Sequence, residues 1–190
     1  MNRLLYLQNK ITDECRKTFM PFSNKIIVHG SGNCSAEILL IGEASGGEEE
    51  RLQKPFVGKA GKNLNFFLET IGIEREDIYI TNVVKFRPTR LSAKTNNLIN
   101  RTPNKEEIEF FKVFLKEEIE IVNPRYVVTL GNVALNAIVE KKCRIGDFHG
   151  QLIATGKYNV YPLYHPASII YNRALSDIYL QDLINFKELL

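Results

Sequence analysis

Apolar positions along the chain alternate between short unbroken runs and helical spacings, and that alternation predicts a layered α/β protein. Residues 38–41 and 78–84 read as buried strands, the first opening into a Gly-rich turn at 42–47. Residues 126–130 read as a third strand, and 151–163 as two short strands around Gly156. Helical patterns lie between them. Residues 61–71 place Leu64, Phe67, Leu68 and Ile71 on one face, with Gly72 as the stop signal. Thr102 followed by Pro103 predicts a capped helix start, running to about 121 with Ile108, Phe111, Leu115 and Ile119 facing inward. Further helices are expected over 1–14, over 132–140 and from Ser176 to the end. Residues 86–101 read as one long polar loop, and loops of that length are often functional. Strands joined by helical crossovers imply a three-layer α/β/α sandwich around a central, mostly parallel four-stranded sheet. No repeat, linker or low-complexity tract interrupts residues 1–190, which read as a single domain.

Composition narrows the class. A chain of 190 residues, 44% hydrophobic and 25% charged, has the make-up of an ordinary globular protein. No run approaches the roughly 18 apolar residues of a membrane span, and Arg3, Lys10, Asp13 and Glu14 break any signal-peptide core. A cytoplasmic monomer with no membrane partner is the expectation. Cys15, Cys34 and Cys143 form no CxxC pair and are too few for a disulfide scaffold or a four-thiolate site. His29 and His149 stand at no ligand spacing from a cysteine, so no metal is expected.

The net charge of +3 says little by itself, but its distribution says more. Between residues 85 and 105 stand Lys85, Arg87, Arg90, Lys94, Arg101 and Lys105, with no Asp or Glu. A second basic stretch, 141–173, carries Asp147 as its single acid. Acid-free basic runs fit either a solvated loop or a polyanion such as nucleic acid.

In open α/β sheets the binding crevice lies at the carboxyl ends of the strands. Three polar clusters fall there: Gly42-Glu43-Ala44-Ser45-Gly46, Thr81-Asn82 with Lys85, and Tyr164-His165-Pro166. Together with Pro55-Phe56-Val57-Gly58-Lys59-Ala60-Gly61 and Thr81-Asn82-Val83-Val84-Lys85-Phe86-Arg87-Pro88, in this order and spacing, they resemble the uracil-DNA glycosylases, family 4 in particular. The resemblance covers about 39–173 and includes Arg101-Thr102-Pro103, Asn123-Pro124 and Leu130-Gly131.

The resemblance implies a repair enzyme that flips uracil out of DNA and hydrolyses its N-glycosidic bond. Phe56 would stack on the base, and Ala44 would line its pocket. Asn82 offers the donor and acceptor that suit uracil O4 and N3–H, not cytosine's reversed edge. His165 would donate to uracil O2 as the base leaves with negative charge. Glu43 would stabilise the sugar cation and orient water, with Glu49 as a second acid. Gly58, Lys59, Ala60, Gly61 and Ser168 would hold phosphates, with Lys85 and Arg87 adding charge. The chain after His165 would be a loop that enters the duplex, where Ile169 and Ile170, with Tyr171, would fill the gap left by the flipped nucleotide or serve as ordinary core.

Two departures stand out. Family 4 carries four cysteines around an iron–sulfur cluster, but Phe86 and Phe111 occupy two of those positions and Cys15 alone remains near the first pair. An apolar plug in place of a cluster is the expectation, with no cofactor. Ser45 also replaces the usual Pro. Rival readings are a non-cutting binder of uracil-containing or damaged DNA, and a glycosylase for another deaminated base. A nucleotide-binding α/β protein lacks its GxGxxG or GxxxxGK[ST] string.

Overall fold

Four largely buried strands form the parallel heart of the sheet. They are β2 (Ile38–Ala44), β3 (Tyr79–Val84), β6 (Tyr126–Leu130) and β8 (Asn159–Leu163), adjacent in the order β3-β2-β6-β8. The computed structural model describes residues 3–17 and 21–190; Met1, Asn2 and the side chain of Phe67 fall outside that description. The sheet has six strands, not the expected four, because β1 (Ser31–Gly32) and β7 (Ile153–Ala154) pair antiparallel at its two edges. Two residues are too few to show any periodicity, so β1 left no signal. The parallel core itself is as expected.

Helices cover both faces. α1 (Arg3–Cys15), α4 (Lys105–Val122) and α5 (Asn132–Val139) enclose one core with Leu7, Phe111, Leu115 and Val127. α3 (Lys59–Ile71) and α8 (Leu175–Lys187) enclose the other with Leu64, Leu68, Ile80 and Phe186. The short helices α2 (Gly47–Leu52), α6 (Ile145–Phe148) and α7 (Pro166–Tyr171) stand among the loops. Among the described residues no helix is long and apolar enough to cross a membrane.

Three local expectations need correction. α4 begins at Lys105, not after Thr102. Asn104 accepts from the Glu107 amide while the Glu107 carboxylate accepts from the Asn104 amide, a reciprocal cap that outcompetes the Thr-Pro signal. The chain after His165 is a helix, α7, capped by the His165 ring and started by Pro166. The expected loop over 86–101 contains a hairpin, β4 (Thr89–Leu91) with β5 (Leu98–Asn100). Its alternation was too short to read against the polar composition.

The positions where the resemblance expects cluster ligands hold packed carbon instead. Phe86 and Phe111 have ring centroids 5.8 Å apart, and Phe22 lies 5.5 Å from Phe86 and 5.7 Å from Phe111. Cys15 is buried in the same core, where burial pushes its thiol up to about 12. Cys34 is exposed and Cys143 half-buried. Among the described residues no three His, Cys, Asp or Glu side chains gather as a metal site. One thiol held protonated among aromatic rings does not fit an iron–sulfur cluster, which needs four thiolates.

Candidate active site

The carboxyl ends of β2, β3 and β8 and the start of α3 surround a cleft of about 670 Å³. Its wall is built from the predicted Glu43, Ala44, Glu49, Phe56, Gly58, Lys59, Ala60, Asn82, His165, Ser168 and Ile170. Parallel register explains the meeting: Gly42 on β2 pairs with Asn82 on β3, so the Gly-rich turn and the Asn leave the sheet side by side.

Asn82 is buried, and its Oδ1 has no hydrogen-bond partner. A buried carbonyl oxygen left unpaired costs about 1–3 kcal/mol, so the site stores an unmet demand for a donor. The ring of Phe56 lies against the same spot. A Cβ on Gly42 would stand 2.4 Å from Asn82 Oδ1 and 2.5 Å from Phe56 Cζ, so only glycine lets these groups converge. Phe56 holds a left-handed backbone, φ 53°, unusual for an aromatic residue, and Gly61 sits against its carbonyl where a Cβ would be 1.9 Å away. Gly61 therefore shapes the Phe56 loop and does not line the cleft.

His165 faces Phe56 with ring centroids 5.8 Å apart. Its Nδ1 accepts from the Ala167 amide at 3.1 Å, which places the proton of the neutral ring on Nε2. Burial lowers its pKa to about 4, with a small opposing influence from Glu49. The ring is thus a neutral Nε2–H donor at ordinary pH. Glu43 is shifted the other way: burial raises its pKa, partly offset by a hydrogen bond from Thr102.

Glu49 is already engaged. Its Oε1 accepts from the amides of Val57 and Gly58, at 3.1 and 2.8 Å, and its Oε2 accepts from Gly46 at 3.2 Å. It ties the Gly-rich turn to the Phe56 loop. The Gly58 amide expected to hold phosphate is spent on this carboxylate. The amides of Lys59 and Ala60 begin α3, which has no side-chain cap.

The structure takes two predicted DNA contacts, Lys85 and Ile169, away from the surface and engages a third, Arg87, with other side chains. Lys85 is 0% exposed and ion-paired to Glu118, which also accepts from Tyr79 and Thr81 at 3.0 Å each. It braces β3 against α4 and reaches no phosphate. Ile169, at 9% exposed, is on the buried side of α7 and packs in the core. Arg87 is bound to Glu50 at 3.4 Å and to Asn100 Oδ1 at 2.7 Å, outside the cleft lining. Tyr171, 90% exposed, stands at the rim beside Ile170. Sequence reasoning missed Asn100, which lines the cleft, and Thr102, which holds Glu43. Asn100 sits in the stretch read as loop, where no periodicity marks it, and Thr102 carried the signal of a helix cap instead.

The cleft thus combines an unpaired carboxamide oxygen, an aromatic face, a neutral His donor and a half-buried carboxylate. Residues 29–185 match the uracil DNA glycosylase superfamily. A type-4 uracil-DNA glycosylase of Thermotoga maritima is 37% identical over 184 residues, 95% of this chain and 91% of that protein. Those of Saccharolobus solfataricus and Pyrobaculum aerophilum are 36% and 33% identical, covering 95% and 94% of this chain and 85% and 90% of theirs. The chain belongs to the uracil-DNA glycosylase superfamily.

Proposed function

We propose that the chain excises uracil from DNA by hydrolysis of the N-glycosidic bond, with Phe56, Asn82, His165 and Glu43 as its working groups. The observation that carries this reading is the partnerless Oδ1 of Asn82 beside the Phe56 ring. Uracil N3–H supplies the missing donor, and uracil O4 accepts from the same carboxamide's Nδ2. Cytosine presents an acceptor at N3 and a donor at C4, so it leaves both groups unpaired.

Flipping the nucleotide costs a few kcal/mol, and stacking on Phe56 returns ~1–3 kcal/mol. As the C1′–N1 bond breaks, its electron pair moves into the uracil ring and charge gathers on O2. The His165 Nε2–H meets that charge; a donor so placed is worth ~2.7–4 kcal/mol. A neutral ring suits the task, since its proton is held whatever the pH above about 4. Glu43, as carboxylate, faces the cationic sugar and takes a proton from the water that bonds to C1′. Glu49 acts as a positioning residue, through the backbone amides it binds.

Three free cysteines suit a reducing cytoplasm. The deciding experiment is incubation with a uracil-containing oligonucleotide followed by alkali. Free uracil and strand scission at the uracil are expected. Tight binding with no free uracil would replace this reading with a non-cutting binder.

A further inference from the structure

The β4–β5 hairpin carries an apolar face that the catalytic reading does not use. Leu91 and Leu98 are directly paired across it and are 61% and 59% exposed. Side chains of such a pair stand ~5 Å apart on the same face of the ribbon. Thr89 and Asn100, the next pair on that face, lead straight to the cleft, since Asn100 is part of its lining. The leucine pair is therefore the outward continuation of the cleft wall, one strand repeat or roughly 7 Å beyond Asn100.

The hairpin is also firmly built. The Ser92 amide donates to Asn97 O and its carbonyl accepts from Asn96, while its Oγ accepts from the amides of Lys94 and Thr95. Asn96 adopts the left-handed turn conformation, φ 52°. Lys94 stands exposed on the tip, and Arg90 on the ribbon's other face. Lys85, Arg87 and Arg101 are paired with Glu118, Glu50 and Glu107, but the exposed Lys94 and Arg90 leave the ribbon positively charged, which suits an occupant that carries negative charge.

We propose that the Leu91–Leu98 face receives an unpaired base of the uracil-bearing strand, next to the flipped nucleotide. Two leucines side by side offer a flat apolar patch about the size of one base. Stacked nucleotides are about 3.4 Å apart along a strand and unstacked ones further, so a neighbour of the flipped uracil reaches roughly as far as this patch. Lys94 lies within the same stretch for the phosphate. A duplex hides its base faces within the stack and offers this patch only sugar and phosphate. The hairpin therefore favours single-stranded or locally melted DNA, and this inference rests on the cleft taking a uracil nucleotide.

The test is the affinity of a dye-labelled oligonucleotide with one uracil, single-stranded or annealed to its complement, for wild type and the Leu91→Ser/Leu98→Ser variant. Both residues are on the surface, so the variant should keep the wild-type melting temperature. Single-strand affinity should fall roughly tenfold or more, duplex affinity should hardly change, and Val113→Ser, an exposed apolar control on α4, should alter neither. An unchanged single-strand affinity, or an equal loss on both DNAs, overturns the proposal. So does a wild-type dimer in sedimentation that the variant dissolves, which would assign the face to a second copy. Uracil release is scored separately: its absence from wild type removes the catalytic reading, while the affinity ratio still decides the hairpin.

Discussion

A Cβ on Gly42 would stand 2.4 Å from the Asn82 side-chain oxygen, which is buried without a hydrogen-bond partner. The close approach keeps that acceptor pressed against Phe56 and open to a substrate donor. Gly42→Ala should push Asn82 and Phe56 apart and lower single-turnover uracil release by roughly a hundredfold or more. Asn82→Ala should do the same with little change in affinity for undamaged DNA. Wild-type release by Asn82→Ala would remove the assigned pocket.

The proposed mechanism sets His165 and Glu43 at opposite ends of one bond. His165→Ala should lower the single-turnover rate about a hundredfold or more, and Glu43→Gln should also lower it, with far smaller effects on DNA affinity. Their combination should cost less than the product of the single losses. Slow release that neither change affects would mean that other residues do the chemistry.

The acid limb of the pH–rate profile should belong to Glu43. Its folded pKa is raised, so the working carboxylate is lost as pH falls through that raised value, whereas His165 stays neutral down to about 4. Thr102→Val removes a hydrogen bond that holds the Glu43 pKa down, and should move the limb to higher pH. Glu43→Gln should flatten it. A limb unmoved by both would assign it elsewhere.

Lys85 and the hairpin bases should separate in salt titrations. Lys85→Met leaves Glu118 buried without its cation and should destabilise by about 3–5 kcal/mol, while leaving the salt slope of DNA binding intact. Neutralising Arg90 and Lys94 together should flatten that slope by roughly 0.9 per lost phosphate contact, with little change in melting temperature. A slope lowered by Lys85→Met would contradict its burial.

The aromatic plug should behave as ordinary core. Phe111→Ala should cost about 3–5 kcal/mol in denaturant unfolding. The purified protein should be colourless and fully active in EDTA. Stoichiometric iron after anaerobic purification would refute the plug.

The sequence by itself determined the parallel core, because strands buried on both faces read as largely apolar runs, as 38–41, 78–84 and 126–130 do. It also placed Glu43, Asn82 and His165 at strand ends, where backbone leaves the sheet and polar groups can converge. Phe111 was legible as an inward position from the helical spacing of Ile108, Phe111, Leu115 and Ile119. Tertiary structure alone decided which charges are free. Lys85 lies in the same acid-free run as Lys94, yet its partner Glu118 is 33 residues away on α4, and no local pattern encodes that pairing. Glu49 likewise meets the Val57 and Gly58 amides only once α2 packs against the Phe56 loop. The hairpin was hidden because three-residue strands carry too little alternation to stand out from a polar loop. Periodicity reports burial on one element; the partner of a charge and the reach of a side chain depend on elements far apart in the chain.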